Sequence, residues 1–255
     1  MSTLHPTNRP ARLVHVLRED PDLAEAVPID RRARAIEDCT GREVRIPVGP
    51  WPLQDAVTSP DGVGLLILQG LLIRRVAIEG RFGAELLGEG DLVRPWQTDE
   101  ESLMLQMEIG WQVLEPIRAA LLDERFARQF GRYPELAGRL FERVVQRSRH
   151  LVANMAIVHH ARVDVRLHML FWYLAGRWGR VRSDGTVLPL RLTHTVLAEL
   201  VAARRPTVTS ALSDLARRGL VRYSGDVWLL AGDPPAETLK GVSVPIRSVE
   251  KAVND

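Results

Sequence analysis

The spacing of apolar residues changes once along this chain, and that change limits the folds open to it. From Glu43 to Leu114 they fall in short runs, "EVRIPV", "VGLLILQG", "LLIRRVAIEG", "RFGAELLGEGD", "LMLQM" and "WQVL", separated by glycines. Runs of this length between turn residues predict antiparallel strands of a small barrel or sandwich, with Gly70, Gly80, Gly88 and Gly90 at the turns. From Pro134, "PELAGRLFERVVQRSRHLVANMAIVHH" keeps helical spacing through residue 160. At 1.5 Å per residue that is a helix of roughly 40 Å, with Pro134 suited to its first position. A strand block followed by helices predicts an α+β chain.

The long helix carries two adjacent apolar seams, Leu140, Val144, Leu151 and Val158 on one and Phe141, Val145, Val152 and Met155 on the next. Two seams call for two partners. One is expected to pack on the chain's own sheet and the first-named on the same helix of a second copy, making a homodimer. Ahead of it "PIRAALLDERFARQF" reads as a flanking helix. Residues 1–40 read as a helical segment, with "LVHVLRED", a break at Asp20 and Pro21, and "DRRARAIEDC". The expected organisation is therefore a helical segment (1–40), a strand domain with its flanking helix (41–131), a dimerisation helix (132–160), a C-terminal domain of short helices and strands (161–232) and a weakly patterned tail (233–255).

Composition removes several classes of function. The 255 residues are 45% apolar, enough for real cores, and no run approaches the roughly 18 apolar residues of a membrane span. With no signal-peptide pattern at its start, the chain is expected in the cytoplasm, away from membranes. Cys39 is the single cysteine, which excludes an internal disulfide and sites built from several cysteines, and a buried, inert thiol is expected. His159, His160 and His168 lack the i, i+4 spacing of a helical metal site, so neither metal nor cofactor is expected. No phosphate loop, G-x-S-x-G or HExxH occurs, and Asp164 near His160 reads better as a helix cap than as an acid/base pair, so the chain is not read as an enzyme.

Charge is uneven. The whole chain is +2, yet residues 161–230 hold eleven arginines against five acidic residues. That asymmetry points to a polyanion partner, although arginine use with lysine almost absent also fits a compositional bias. Within this stretch "VAARRPTVTSAL" (201–212) joins two short helices. Thr193 can cap the first, running from His194 to Val201. The second runs from about Pro206 to Arg217, with Val208, Ala211, Leu212 and Leu215 inward and Thr207, Ser210, Asp214 and Arg217 outward, and Gly219 ends it. "LVRY" and "VWLLA" then make a hairpin around Ser224, Gly225 and Asp226. Two helices, a tight turn and a hairpin describe a winged helix-turn-helix whose second helix enters the DNA major groove. Arg204, Arg205, Thr207, Thr209, Ser210 and Arg217, with Thr193 and His194, are the candidate contacts to double-stranded DNA.

The order of parts, a strand domain with "GEGDLV", a long helix, and "LTHTVLAELVAARRPTVTSALSDLARRGLV", resembles the Crp/Fnr family of bacterial transcription regulators over about residues 40–230. The resemblance implies a cyclic-nucleotide-binding-type β-roll, a dimerising helix and a winged helix-turn-helix that reads a palindromic operator, with RNA polymerase as a candidate partner. It puts Arg205 at the guanine-reading position and Thr193 and Thr207 at phosphate contacts. Pro206 replaces a glutamate that commonly reads cytosine, and Ser210 a second base-reading arginine, so the usual half-site is not expected.

The same resemblance supplies a test for an effector. Where cyclic-AMP binders carry "GxxGE" and later an Arg-Ser pair, this chain has "GDLVRPW" and then Glu101 and Ser102. From Pro95 to Ile117 it holds carboxylates and no cation, the wrong sign for a cyclic phosphate. The adenine-contacting positions correspond to Leu151 and Val152. Arg74, Arg75 and Arg94 remain as candidate anion contacts for an unknown small-molecule effector. Two alternatives stay open: a regulator gated by cyclic AMP or another small anion, and a winged-helix interaction protein that does not bind DNA.

Overall fold

The computed structural model describes residues 12–52, 59–96 and 107–235, and the chain divides into two compact units, residues 1–155 and 156–255. The strand-to-helix order expected above is present, as an N-terminal antiparallel β-roll, a long helix and a C-terminal winged helix-turn-helix.

The first unit is built on one antiparallel sheet. It contains β1 (Leu13–His15), β2 (Thr40–Ile46), β3 (Gly49–Pro50), β4 (Gly64–Ile78), β5 (Arg81–Gly88), β6 (Leu92–Val93) and β7 (Glu108–Leu122). The path runs β1-β2-β7-β4-β5, with β3 on β7 and β6 on β4. Successive side chains of a strand face opposite ways. Leu65 and Ile67 of β4 and Ile117, Ala119 and Leu121 of β7 enter one core with Trp51, Trp111 and Val113. Leu66 and Leu68, with Ala120 and Leu122, enter another beneath the helices.

Three expectations change here. "PIRAALL" is the end of β7, not a helix; Ala119, Ala120, Leu121 and Leu122 are buried on both faces of the strand, so alternation is lost there and period alone does not separate the run from a helix. The helix beyond, α4 (Glu124–Ala127), begins only at Asp123, whose carboxylate accepts from Phe126 N at 3.1 Å, and a 3-10 turn follows over Arg128–Gly131. At the N-terminus Leu13–His15 is a strand paired with β2, followed by α1 (Val16–Glu19), α2 (Pro21–Glu25) and α3 (Ile29–Asp38). Asp20 and Pro21 do not merely break a helix; Asp20 caps α2 through Leu23 N at 2.9 Å, with Pro21 at its first position. Gly70 is no hairpin turn. It lies inside the single strand β4, at φ +100°, where the pairing with β7 slips opposite Pro116. Proline cannot donate to the ladder, so the irregularity falls where the ladder is already open.

The long helix α5 (Pro134–Val158) buries Leu136 and Leu140 in the unit's core. Leu140, at 3% exposure, is therefore not available to a second helix. Beyond it the face toward the sheet turns polar. Arg139 pairs with Asp22 at 3.4 Å; Arg143 donates to Asp20 and Asp22 at 2.8 and 2.7 Å and to Gly90 O at 3.4 Å. Arg147 grips Glu85 at 2.6 and 2.8 Å, and Asn154 reaches Ala84 O at 3.3 Å. Burial opposes the charges of Arg143 and Arg147 most strongly, but the hydrogen bonds they donate to Asp20 and Asp22, and to Glu85, together with the attraction of those carboxylates, outweigh it, so both pKa values rise. The hydrogen bond from Arg143 holds Asp22 below the usual carboxylate range. Phe141, at 70% exposure, Val144, Val152, at 64%, and Met155 are left on the open face.

The second unit places α6 (Val163–Trp178), α7 (His194–Leu200) and α8 (Arg205–Arg217) beside a sheet of order β10-β11-β9-β8, made of β8 (Arg180–Arg182), β9 (Gly185–Leu188), β10 (Val221–Ser224) and β11 (Val227–Leu230). The hairpin at Ser224–Val227 turns through Gly225 and Asp226, both at positive φ, as a two-residue loop needs. Phe171 of α6 stacks on Trp228 of β11 at 4.7 Å. β8 and β9 extend this sheet beyond the expected hairpin, and all three residues of β8 are exposed.

Cys39 is buried, its thiol pushed up to about 12 by burial and by Asp38. Among the described residues no helix is long and apolar enough to cross a membrane.

A Cβ on Gly70 would sit 2.3 Å from Pro116 O, in a backbone region that L residues avoid. Gly70→Ala is therefore expected to destabilise the first unit by about 3 kcal/mol, read as a lower denaturant midpoint with an unchanged slope.

Candidate nucleic-acid interface

The corner between α7 and α8 is fixed by its backbone. Thr193 caps α7, its hydroxyl accepting from Val196 N at 3.2 Å. The helix ends with Ala203 N bonded to Ala198 O at 2.9 Å and Ala202 N to Glu199 O at 3.2 Å, the doubled closure that requires a left-handed residue. That residue is Ala202, at φ +49°, where glycine would be easier. Arg166 of α6 secures the strained turn, donating to Val201 O at 3.0 Å and Ala202 O at 3.3 Å. The chain then reverses directly into α8.

Along α8, Val208, Ala211, Leu212 and Leu215 are buried. Arg204, Arg205, Pro206, Thr207, Thr209 and Ser210 are all exposed at its N-terminal end. The side chains of Arg204 and Arg205 make no hydrogen bond or ion pair among the described residues. Two hydroxyls are turned back onto the helix, Thr209 to Arg205 O at 3.1 Å and Ser210 to Pro206 O at 3.2 Å. Each spends its only proton there and offers lone pairs outward. His194 Nδ1 lies 3.0 Å from Thr209 Oγ1, linking the first helix to the second. Gly219, at φ +71°, closes α8 through Gly219 N to Ala216 O and Leu220 N to Leu215 O, both 3.0 Å.

Several other cations of the unit are already paired. Arg217 pairs with Asp214. Asp164 is bound by Arg162 at 2.6 Å and reached by Arg218 at 3.4 Å, which leaves no acid/base pair with His160. The hydrogen bond from Arg162 holds the Asp164 carboxyl below its usual range. Arg191 ties the segment before α7 to the hairpin loop through Asp226 at 2.8 Å. His168 is buried and accepts from Trp172 Nε1 at 3.1 Å. Among the described residues no group of three or more His, Cys, Asp or Glu could hold a metal ion.

Among the candidate effector residues, Arg74, Arg75 and Arg94 each have a partner on the chain. Arg74 lies 5.8 Å from the Trp111 ring centre and 3.4 Å from Glu85, the carboxylate already gripped by Arg147. Arg75 donates to Gln112 at 2.8 Å, and Arg94 to Pro60 O at 2.8 Å. Leu151 is half-buried and Val152 exposed on α5, while Glu101 and Ser102 fall outside the described residues. The sequence reading missed Arg166 and Glu85, whose bonds to Val201 O and to Arg147 span 35 and 62 residues and leave no local pattern.

Residues 165–233 match the family described as the Crp-like helix-turn-helix domain. Over 116 residues, 45% of this chain, the sequence is 30% identical to the CRP-like cAMP-activated global transcriptional regulator of Mycobacterium tuberculosis. The match spans about half (52%) of that relative's length. Among solved structures, a CooA mutant from Carboxydothermus hydrogenoformans superposes with a TM-score of 0.56 at 16% identity, over 87% of this chain and 92% of that one. FixK2 from Bradyrhizobium japonicum gives 0.55 at 14% identity, over 75% and 93%. At these identities the structures speak to the fold alone. Sequence and fold agree on one assignment: residues 165–233 form a Crp-like helix-turn-helix domain.

Proposed function

We propose that the chain is a DNA-binding transcription regulator that lays α8 in the major groove. The observation that carries this reading is the exposed, unpaired Arg204 and Arg205 beside Thr207 at the N-terminal end of α8. An arginine here suits the O6 and N7 of guanine, and Arg205 is assigned that role. Arg204, Thr193 and Thr207 are assigned to phosphates, which position the protein without reading sequence. Thr209 and Ser210, with lone pairs outward, suit amino groups of bases. Arg217, partly neutralised by Asp214, is assigned a weaker backbone contact.

The regulator is proposed to work as a homodimer. Support comes from the open apolar stripe of α5, Phe141, Val144, Val152 and Met155, spaced as a helix-to-helix seam. Val144 stays from the seam expected from sequence, with Leu151 and Val158 at its half-buried margin. A two-fold pair presents two recognition helices and therefore reads a palindromic operator.

Control by cyclic AMP, the activator named for the mycobacterial relative, is not proposed for this chain. Arg74 and Arg94 are engaged by Glu85 and Pro60 O rather than turned to an anion. A cyclic phosphate leaving water needs such cations.

Arg205→Ala is expected to cost roughly 1–3 kcal/mol per half-site and to relax preference at one guanine, measured by footprinting on a selected operator. Arg204→Ala should weaken all duplexes alike and lower the slope of log affinity on log salt by about 0.9 for each phosphate it ceases to neutralise. Unchanged footprints for both variants would remove α8 from the interface. Replacing Phe141 and Val152 together by glutamate should convert the dimer to monomer in light scattering, with circular dichroism unchanged. Cyclic AMP should give neither calorimetric heat nor a shift in duplex affinity, and saturable heat would reverse that assignment.

A further inference from the structure

His194 is the first residue of α7, half-exposed, with Nδ1 3.0 Å from Thr209 Oγ1. The Thr209 hydroxyl donates its one proton to Arg205 O at 3.1 Å, and a carbonyl can only accept. The His194 contact must then be a donation from the ring, so the proton sits on Nδ1. That leaves Nε2 as a bare acceptor at the other side of the imidazole. When the ring takes up a second proton it lands on Nε2, and the bond to Thr209 stays intact. The outward edge changes from a neutral acceptor to a cationic donor with no rearrangement.

The surroundings set the direction of the effect. α8 packs against α7 and presents the unpaired cations Arg204 and Arg205. Its one carboxylate, Asp214, is taken by Arg217 and Arg218, and α7's own Glu199 lies more than a turn further along. No carboxylate pairs with the His194 ring among the described residues. In the free chain nothing offsets a charge on this ring; a phosphate arriving at the same surface does. Imidazole is the side chain that changes charge between about pH 5 and 8.

From this geometry we infer that His194 is a proton-gated phosphate contact, held in register with Arg205 by Thr209, so that duplex binding takes up a proton at Nε2. The inference rests on the DNA-binding reading above. The protonated ring binds tighter, so the added affinity is full at the acid end and is lost as pH rises through the ring's titration in the bound state.

The test uses the full chain and a labelled duplex DNA of mixed sequence, followed by anisotropy from about pH 5.5 to about pH 8. Affinity should fall on the order of ten-fold per chain across that range. The slope of log affinity on log salt should become shallower by about 0.9 per chain. His194→Gln should bind with the wild-type affinity of the alkaline end and show neither trend, while Thr209→Val should blunt both. Nitrogen-15 spectra of the free chain at the alkaline end should show the proton on Nδ1. A His194→Gln profile that keeps the full pH dependence, or a ring proton found on Nε2, overturns the inference and leaves the DNA-binding reading standing. No duplex binding by the wild-type chain at any pH removes both.

Discussion

The row of charge-assisted bonds along α5 decides what the long helix can do. From Arg139 to Asn154 its sheet-facing positions are filled by guanidinium and amide groups that reach Asp22, Asp20, Glu85 and the carbonyls of Gly90 and Ala84. Such bonds hold a helix in register without burying apolar surface. The apolar residues of the same stretch are displaced to the opposite face, where Phe141, Val144, Val152 and Met155 meet solvent in the single chain. Arg143 and Asp20 are both mostly buried, and removing one partner of a buried pair costs about 3–5 kcal/mol because the other charge is left behind. The clamp and the open seam are thus two results of one arrangement of side chains.

At the other end of the chain a comparable economy governs the helix-turn-helix corner. Ala202 holds a left-handed conformation, and Arg166 answers the carbonyls that the turn exposes. Asp164 and Asp214 absorb Arg162, Arg217 and Arg218. Arg204 and Arg205, side by side at the start of α8, keep side chains without a carboxylate partner among the described residues. The net charge of the domain therefore matters less than which of its arginines lack a local carboxylate.

Much of this was legible in the sequence where one face of an element is buried and the other is not. The inward positions of α8, Val208, Ala211, Leu212 and Leu215, stand out because hydroxyls and arginines occupy the rest, and Gly219 marks the end as it should. Legibility fails where that contrast is missing. The last four residues of β7, Ala119 to Leu122, are apolar on both faces, so "PIRAALL" shows no sustained alternation and reads as helix. Gly70 signals a backbone that L residues avoid, but a hairpin turn and a slipped ladder give the same signal. On α5 the arginines at 143 and 147 look like a solvent face, which is why Leu140 could be set on the wrong side. Thr193, His194, Arg204, Arg205, Thr207, Thr209 and Ser210 lie about the corner between α7 and α8, with Arg217 at the far end of α8, whereas the bonds of Arg166 to Val201 O and of Glu85 to Arg147 span distances that no local pattern records.

The exposed outer strand β8 carries a further consequence. An open strand edge is a template on which another chain can extend the sheet, and copies of one protein brought together in pairs meet each other's edges at high effective concentration. Here Arg180 and Arg182 flank Val181, which is 88% exposed and would otherwise invite such an addition. Laying two of these edges alongside one another would force guanidinium groups into mutual repulsion. The outermost strand is thereby guarded against runaway self-association by its own charge.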